Sequence, residues 1–278
     1  MIIDGNAIAA DLKLKIGERI RTSGKTLTLG IVIVGDDPVV ENFVRIKKKV
    51  AEALGVVLRE YRYPKEINEE ELLGHLSVIR TRSELNGLII QLPLPGHVHV
   101  QTILNSVPPH LDVDMLSHNA VAQFRKGEAR ILPPVVGAIQ EIFERHHVSV
   151  GGKDVLVLGH GRLVGIPAAI FLRHNDAHVT VVDKEIARLA ELTKEADIII
   201  SGVGKPGMLQ PEMLKEGVVL IDAGTSETGG RIVGDAESKC ADIAGLFTPV
   251  PGGVGPITVA MIFKNLYMLS LPLNSLYN

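Results

Sequence analysis

Tryptophan is absent from this 278-residue chain, and cysteine occurs once, at Cys240. A single cysteine excludes an intrachain disulfide and a multi-cysteine zinc site, so no metal is expected. It also suits a reducing compartment. Neither sign of charge dominates: 29 Lys and Arg stand against 32 Asp and Glu, a net charge of −3. That balance lacks the electrostatic footprint of a nucleic-acid binder. Long apolar runs are missing too. The most apolar stretch near the C-terminus, residues 257–272, is interrupted by Lys264. It falls short of the roughly 20 residues that a bilayer span needs, so a buried helix is expected there and no membrane partner. Met1-Ile2-Ile3-Asp4-Gly5-Asn6 has no basic region followed by an apolar stretch. No signal peptide is therefore expected, and the expected location is cytoplasmic.

What the chain has in quantity is Val, Ile and Leu, distributed in short runs. Strands are expected at Leu27–Val34, Val57–Tyr63, Gly87–Gln91, Asp154–Leu158, His178–Val182, Ile198–Ser201 and Val218–Ile221. Amphipathic stretches lie between them, at Val40–Leu54, Glu69–Arg80, Val164–Arg173 and Glu185–Glu195. Alternation of apolar strands with helices predicts an α/β fold with parallel sheets covered on both faces. The length suits two lobes, since domains usually run to about 100–200 residues. Pro133-Pro134, a helix over Val136–His146 and then Gly151-Gly152 mark the boundary. The expected division is a catalytic α/β lobe, residues 1–135 completed by a C-terminal helix within 256–278, and a Rossmann-type lobe, residues 136–255. A cleft between the two is the expected ligand site.

The strand at Asp154–Leu158 runs into Gly159-His160-Gly161-Arg162-Leu163-Val164-Gly165, with a helix soon after. The first glycine allows a tight turn. The second lets the backbone approach a pyrophosphate at the helix N-terminus. The third stands one position later than in the usual dinucleotide fingerprint, so the context of strand, turn, helix and acid carries the assignment. The acid is Asp183, which ends the next strand. A carboxylate there accepts from a ribose 2′-hydroxyl and repels a 2′-phosphate, which favours NAD. Lys184 beside it and Arg162 in the turn favour the phosphate of NADP, and Asp183 has the further role open to it of capping the next helix.

In the first lobe, Phe43 and Lys47 stand four residues apart on one helical face. By spacing alone Lys47 reads as a solvated lysine. Gly87–Pro95 reads as a buried strand entering a rigid turn, Gln91-Leu92-Pro93-Leu94-Pro95. Gln91 sits at the strand end, where parallel sheets place functional groups. Leu111-Asp112-Val113-Asp114 and Thr248–Pro256, with its Pro/Gly pattern, complete the set.

Four segments in order, Gln91–Pro95, Val164–Pro167, Ala196–Gly207 and Thr248–Thr258, resemble the bifunctional methylenetetrahydrofolate dehydrogenase/methenyltetrahydrofolate cyclohydrolase family. The resemblance runs along nearly the whole chain. It implies a homodimer that takes a folate substrate and NAD or NADP. It also implies that Lys47 is the central catalytic residue, with Gln91 as its hydrogen-bonding partner. Asp114 aligns with the aspartate that holds the pterin, whose adjacent N–H donors a carboxylate accepts in pairs. Phe43 would stack on the folate rings. Pro93 and the loop of Pro251, Gly252, Gly253, Gly255 and Pro256 would contact the folate. Gly159, His160, Gly161, Asp183, Lys184, Gly204, Thr225 and Thr258 occupy nucleotide-contacting positions.

The chain departs from the family pattern at several of these places. Phe43 and Val40 replace Tyr and Ser. Leu111 and Met115 replace Lys and Gly, Leu132-Pro133-Pro134-Val135 replaces Pro-Cys-Thr-Pro, and His160-Gly161 replaces Arg-Ser. Phe43 keeps the stacking surface and loses the hydroxyl. The expected activity is oxidation of 5,10-methylenetetrahydrofolate followed by hydrolysis to 10-formyltetrahydrofolate. A dehydrogenase with weak or no cyclohydrolase activity, a non-catalytic folate- or nucleotide-binding relative, and another two-lobe dehydrogenase remain open at this point.

Overall fold

In the computed structural model, residues 1–183, 188–229 and 231–272 are described. They divide into two compact units, Asp11–Pro134 with Val259–Asn278, and Met1–Ala10 with Val135–Thr258. Among the described residues, no helix is long and apolar enough to cross a membrane.

The first unit takes most of helix α1 (Gly5–Ser23) and then β1 (Thr28–Val34), α2 (Pro38–Leu54), β2 (Val57–Tyr63), α3 (Glu69–Ile79), β3 (Gly87–Ile90), α4 (Val100–Asn105) and α5 (His118–Lys126). Its three strands are parallel in the order β2-β1-β3. All seven residues of the central strand β1 are buried, as expected of a strand covered on both faces. Helix α2 is delimited by local chemistry. The Asp37 carboxylate accepts from the Val39 and Val40 amides, and Pro38 stands in the first turn. Gly55 ends the helix at φ 70°, a left-handed position that glycine adopts without a Cβ penalty. Where β3 begins, a Cβ on Gly87 would come within 2.5 Å of Val113 Cγ1 and 2.7 Å of Leu266 Cδ1, so a larger residue there would have to displace those side chains.

The second unit contains α6 (Pro134–Arg145), β4 (Asp154–Leu158), α7 (Gly165–His174), β5 (His178–Val182), α8 (Leu189–Glu195), β6 (Ile198–Ser201), β7 (Val219–Asp222), β8 (Ser226–Thr228), β9 (Arg231–Val233) and β10 (Leu246–Phe247). Five strands form a parallel sheet, β10-β7-β6-β4-β5, while β8 and β9 pair antiparallel. The chain leaves β4 for β5 on one side and returns to β6 on the other. The strand order therefore reverses at β4, and ligands of such sheets bind at the carboxyl ends beside that reversal. The last helix, α9 (Val254–Leu269), carries the chain from the second unit back into the first. There the Asn265 amide donates to the carbonyls of Val113 and Leu132 at 2.9 and 2.8 Å.

Residues 1–10 group with the second unit, whereas the sequence reading put them in the first lobe. The reason is edge pairing: Ile3 N donates to Phe247 O, and Phe247 N to Met1 O, both at 2.9 Å. The helix expected over Glu185–Glu195 is observed as α8 from Leu189. Its beginning, with Lys184 just before it, lies outside the described residues.

Candidate active site

On α2 the buried residues are Val40, Val44, Lys47, Ala51 and Leu54. Their spacing of three and four residues is the apolar stripe of an amphipathic helix, and Lys47 occupies one of its positions. This corrects the reading of Lys47 as solvated: its residue is 8% exposed. Its Nζ donates to Gln91 Oε1 at 2.9 Å. Gln91 is held in turn, because its backbone N–H donates to Val32 O at 2.9 Å and its Nε2 to Leu92 O at 2.9 Å. Both amide ends are thereby committed, so Oε1 faces the lysine. The half-buried Phe43 ring lies one turn before Lys47, with Nζ 5.9 Å from its centroid. Burial pushes the Lys47 ammonium below the usual lysine range, and attraction to Asp114 opposes the shift.

Asp114 is half-buried on the segment that follows Leu88↔Asp112, a bridge alongside β3. Burial raises its carboxyl to about 6, while Lys47 lowers it and Asp112 raises it further. Asp112 does structural work here. Its buried carboxylate accepts from the Leu116 and Ser117 amides at 3.2 and 2.9 Å and so pins the turn. Within that turn Met115 has φ 55°, the left-handed region, at the position where the resembled family carries Gly. Leu111, in place of the family's Lys, packs into the apolar core of this unit. The Leu92–Pro93 peptide bond, just after Gln91, is cis. The first unit thus brings Phe43, Lys47 and Gln91 together, with Asp114 close enough to act electrostatically on Lys47.

The candidate nucleotide turn of the second unit presents mainly backbone. Gly159 has φ 96°, and its N–H donates to Val182 O at 2.8 Å. A Cβ there would stand 3.0 Å from Gly202 O, the residue after β6. A Cβ on Gly165 would overlap the Gly159 carbonyl oxygen. The late third glycine therefore lets α7 begin directly against the turn. Gly161, His160 and Arg162 are exposed, as is Asp183 at the end of β5. Gly204 has φ 73°, and its carbonyl accepts from Ser226 Oγ at 2.9 Å, next to the exposed Thr225. A tight turn, close-packed glycines and a helix N-terminus fit a dinucleotide pyrophosphate.

Pro251, Gly252, Gly253, Gly255, Pro256 and Thr258 also belong to the second unit. Val250–Pro251 is cis, Gly252 has φ 102°, and Gly253 N donates to Pro249 O at 2.8 Å. Thr258 Oγ1 is turned onto its own helix, donating to Val254 O at 3.0 Å. Sequence reasoning passed over two buried acids, Asp222 and Asp235. Asp222 carried the same signal as Gln91, a polar residue at the end of an apolar strand.

Comparison with known proteins settles the lineage. Residues 3–114 match the tetrahydrofolate dehydrogenase/cyclohydrolase catalytic domain, and residues 133–271 match the NAD(P)-binding domain of the same enzymes. The chain belongs to the tetrahydrofolate dehydrogenase/cyclohydrolase family. A relative named bifunctional protein FolD, from Nautilia profundicola, is 37% identical over 95% of each chain. The crystal structure of the bifunctional methylenetetrahydrofolate dehydrogenase/cyclohydrolase from Campylobacter jejuni superposes with a TM-score of 0.92 at 31% identity. It covers 97% of this chain and 98% of its own. The Trypanosoma brucei enzyme, crystallised with NADP and an inhibitor, gives 0.90 at 32% identity, covering 97% and 96%. Family membership accounts for the two-part α/β architecture and for the presence of both a glycine turn and a lysine–glutamine pair in one chain.

Proposed function

We propose that this family member oxidises 5,10-methylenetetrahydrofolate to 5,10-methenyltetrahydrofolate with NAD(P), then hydrolyses the methenyl cation to 10-formyltetrahydrofolate. The observation that carries the reading is Lys47 itself: a lysine on a buried helical stripe, hydrogen-bonded to a fixed glutamine. When bound, the nicotinamide supplies the acceptor for the hydride that leaves the one-carbon bridge. In the first step the protein orients the folate. Asp114, ionised above about pH 6, accepts the paired pterin N–H donors, and Phe43 stacks on the rings. In the second step water adds to the electrophilic carbon. Lys47, favoured in its neutral form by burial, takes a proton from that water. It returns the proton to N5 as the carbon–N5 bond opens, and Gln91 keeps its Nζ in place. One proton is released overall.

Asp183 favours NAD over NADP by accepting from the ribose 2′-hydroxyl and repelling a 2′-phosphate. The working form is read as a cytoplasmic homodimer. Phe43 supports a second reading, a dehydrogenase with slow hydrolysis, because its ring has no hydroxyl to orient a water. An absorbance assay for methenyltetrahydrofolate, run with NAD and NADP in parallel, separates the two. The first reading expects the cation to appear with reduced cofactor and then decay faster than in buffer. Accumulation without faster decay supports the second. No cofactor reduction with either dinucleotide overturns both.

A further inference from the structure

The two buried acids of the second unit are interlocked with the loops at the carboxyl end of its sheet. Asp235, 0% exposed, is delivered just after the β8–β9 pair. Its Oδ2 accepts from Ser201 Oγ at 2.6 Å and from Val203 N at 2.8 Å, and its Oδ1 accepts from Lys205 N at 2.7 Å. These donors bracket Gly204, the left-handed glycine after β6. Asp222, 1% exposed, ends β7. It accepts from Gly224 N at 2.9 Å and Ala236 N at 2.8 Å, and its own N–H donates to Thr248 Oγ1 at 2.7 Å. Glycine lets the carboxylates lie against the backbone: a Cβ on Gly224 would overlap the Asp235 carboxyl, and one on Gly234 the Asp222 carboxyl. The segments after β6, β7 and β9 are thus tied through two carboxylates that point into protein rather than solvent, and the Asp222 N–H adds the segment after β10.

A carboxylate accepting several N–H and O–H donors is a strong, directional anchor. Asp235 already holds three donors and has no exposed surface with which to touch a ligand. From this geometry we infer that Asp235 is a positioning residue for the dinucleotide: it fixes the loop carrying Gly204 and acts on cofactor affinity without contacting the cofactor. The inference rests on the assignment of Gly204 to the nucleotide site. An amide in place of the acid faces at least one backbone N–H with an NH₂ group, so one contact becomes a repulsion. Removing the Ser201 hydroxyl takes away one donor and leaves the backbone contacts in place.

The test is a titration of the folate-free protein with NADH and NADPH, read by nicotinamide fluorescence, together with steady-state kinetics. Asp235→Asn should weaken dinucleotide binding about tenfold, the usual scale for a lost charge-assisted bond. KM for the dinucleotide should rise in step, while KM for the folate stays unchanged and kcat at saturation holds within about threefold. A purely structural role lowers the active fraction, and hence kcat, without that split. Ser201→Ala, the milder variant, should weaken binding about threefold and raise amide exchange at Val203 and Lys205. It serves if Asp235→Asn does not fold. Unchanged dinucleotide affinity in a folded Asp235→Asn, or in Ser201→Ala should the first not fold, overturns the inference. Failure of the wild type to bind either dinucleotide overturns the nucleotide assignment instead, so the two failures are distinct.

Discussion

Gln91 closes a strand in the first unit and Gly159 closes one in the second, and the two positions solve different problems. Beside Gln91 the proposed chemistry rests on side chains placed where water is scarce: Lys47 and Gln91 are 8% and 7% exposed. Burial there changes what the groups do, lowering the ammonium and raising the Asp114 carboxyl to about 6. Beside Gly159 the proposed nucleotide surface is backbone, and the side chains around it, His160, Arg162 and Asp183, are exposed. The buried acids of that unit, Asp222 and Asp235, hold loops through hydrogen bonds. Proton chemistry needs perturbed side chains, whereas holding a pyrophosphate needs N–H groups and room.

The largest expected effect lies on the side-chain half of this contrast. Lys47→Met keeps the aliphatic bulk and removes the amine. Cyclohydrolase turnover should fall by about 10²-fold or more, the scale of a positioned acid–base group. Hydride transfer should fall less, since it needs orientation and no proton at the bridge carbon. Methenyltetrahydrofolate decay and cofactor reduction, followed side by side, measure both. Equal loss of the two activities would make Lys47 a binding group only.

On the backbone half, Gly165→Ala tests packing rather than chemistry. Its Cβ would overlap the Gly159 carbonyl oxygen, so the turn or α7 must shift. Overpacking of this kind costs about 2–3 kcal/mol. Denaturant unfolding should show that loss, with dinucleotide binding weakened and folate binding retained. A fully stable variant with wild-type dinucleotide affinity would show that the close approach at α7 is dispensable.

Asp114 sharpens the comparison through pH. Its carboxyl is raised to about 6, so it takes up a proton as pH falls through that value and loses its paired acceptors. Folate affinity should therefore drop below about pH 6 while dinucleotide affinity changes little. Asp114→Asn should weaken folate binding at neutral pH by about 1–2 kcal/mol and abolish the dependence near pH 6. Persistence of the same dependence in the variant would assign it to another group.

How far the chain could be read in advance differs between the two units for the same reason. Asp154–Leu158 and Ile198–Ser201 are strands to the residue, because buried parallel strands are near-continuous apolar runs. Val57–Tyr63 and His178–Val182 also match to the residue, through β-branched and aromatic residues on largely unburied strands. Helix α1 was passed over, although Ile8, Leu12, Ile16 and Ile20 bury one stripe. Gly5 and Gly17, poor helix formers, mask it. The two-residue β10 has no period to detect and exists through its pairing with Val219 and Leu220. The glycine turn was legible because its parts adjoin in sequence. The Lys47–Gln91 pair spans 44 positions and forms because β1 and β3 are neighbours. Yet the stripe Val40, Val44, Lys47, Ala51, Leu54 already held a lysine where an apolar residue belongs.

The smallest expected effect is the most specific to this chain. Phe43 gives Lys47 an aromatic face, with Nζ 5.9 Å from the ring centroid, and offers no hydrogen bond. An ammonium over a ring is stabilised by about 0.5–1 kcal/mol at exposed sites and more when desolvated. That contact favours the charged lysine and works against its use as a base. A hydroxyl at the ring tip would add a group able to orient Lys47 or the attacking water. Phe43→Tyr should therefore raise cyclohydrolase turnover about two- to fivefold, within the energy of one modest hydrogen bond. Dehydrogenase turnover and folate KM should stay unchanged, because the stacking surface is the same. The ratio of the two activities, measured on one preparation, removes any error in active-enzyme concentration. An unchanged ratio would mean that Gln91 alone orients Lys47, and that the hydroxyl-free ring costs this enzyme nothing.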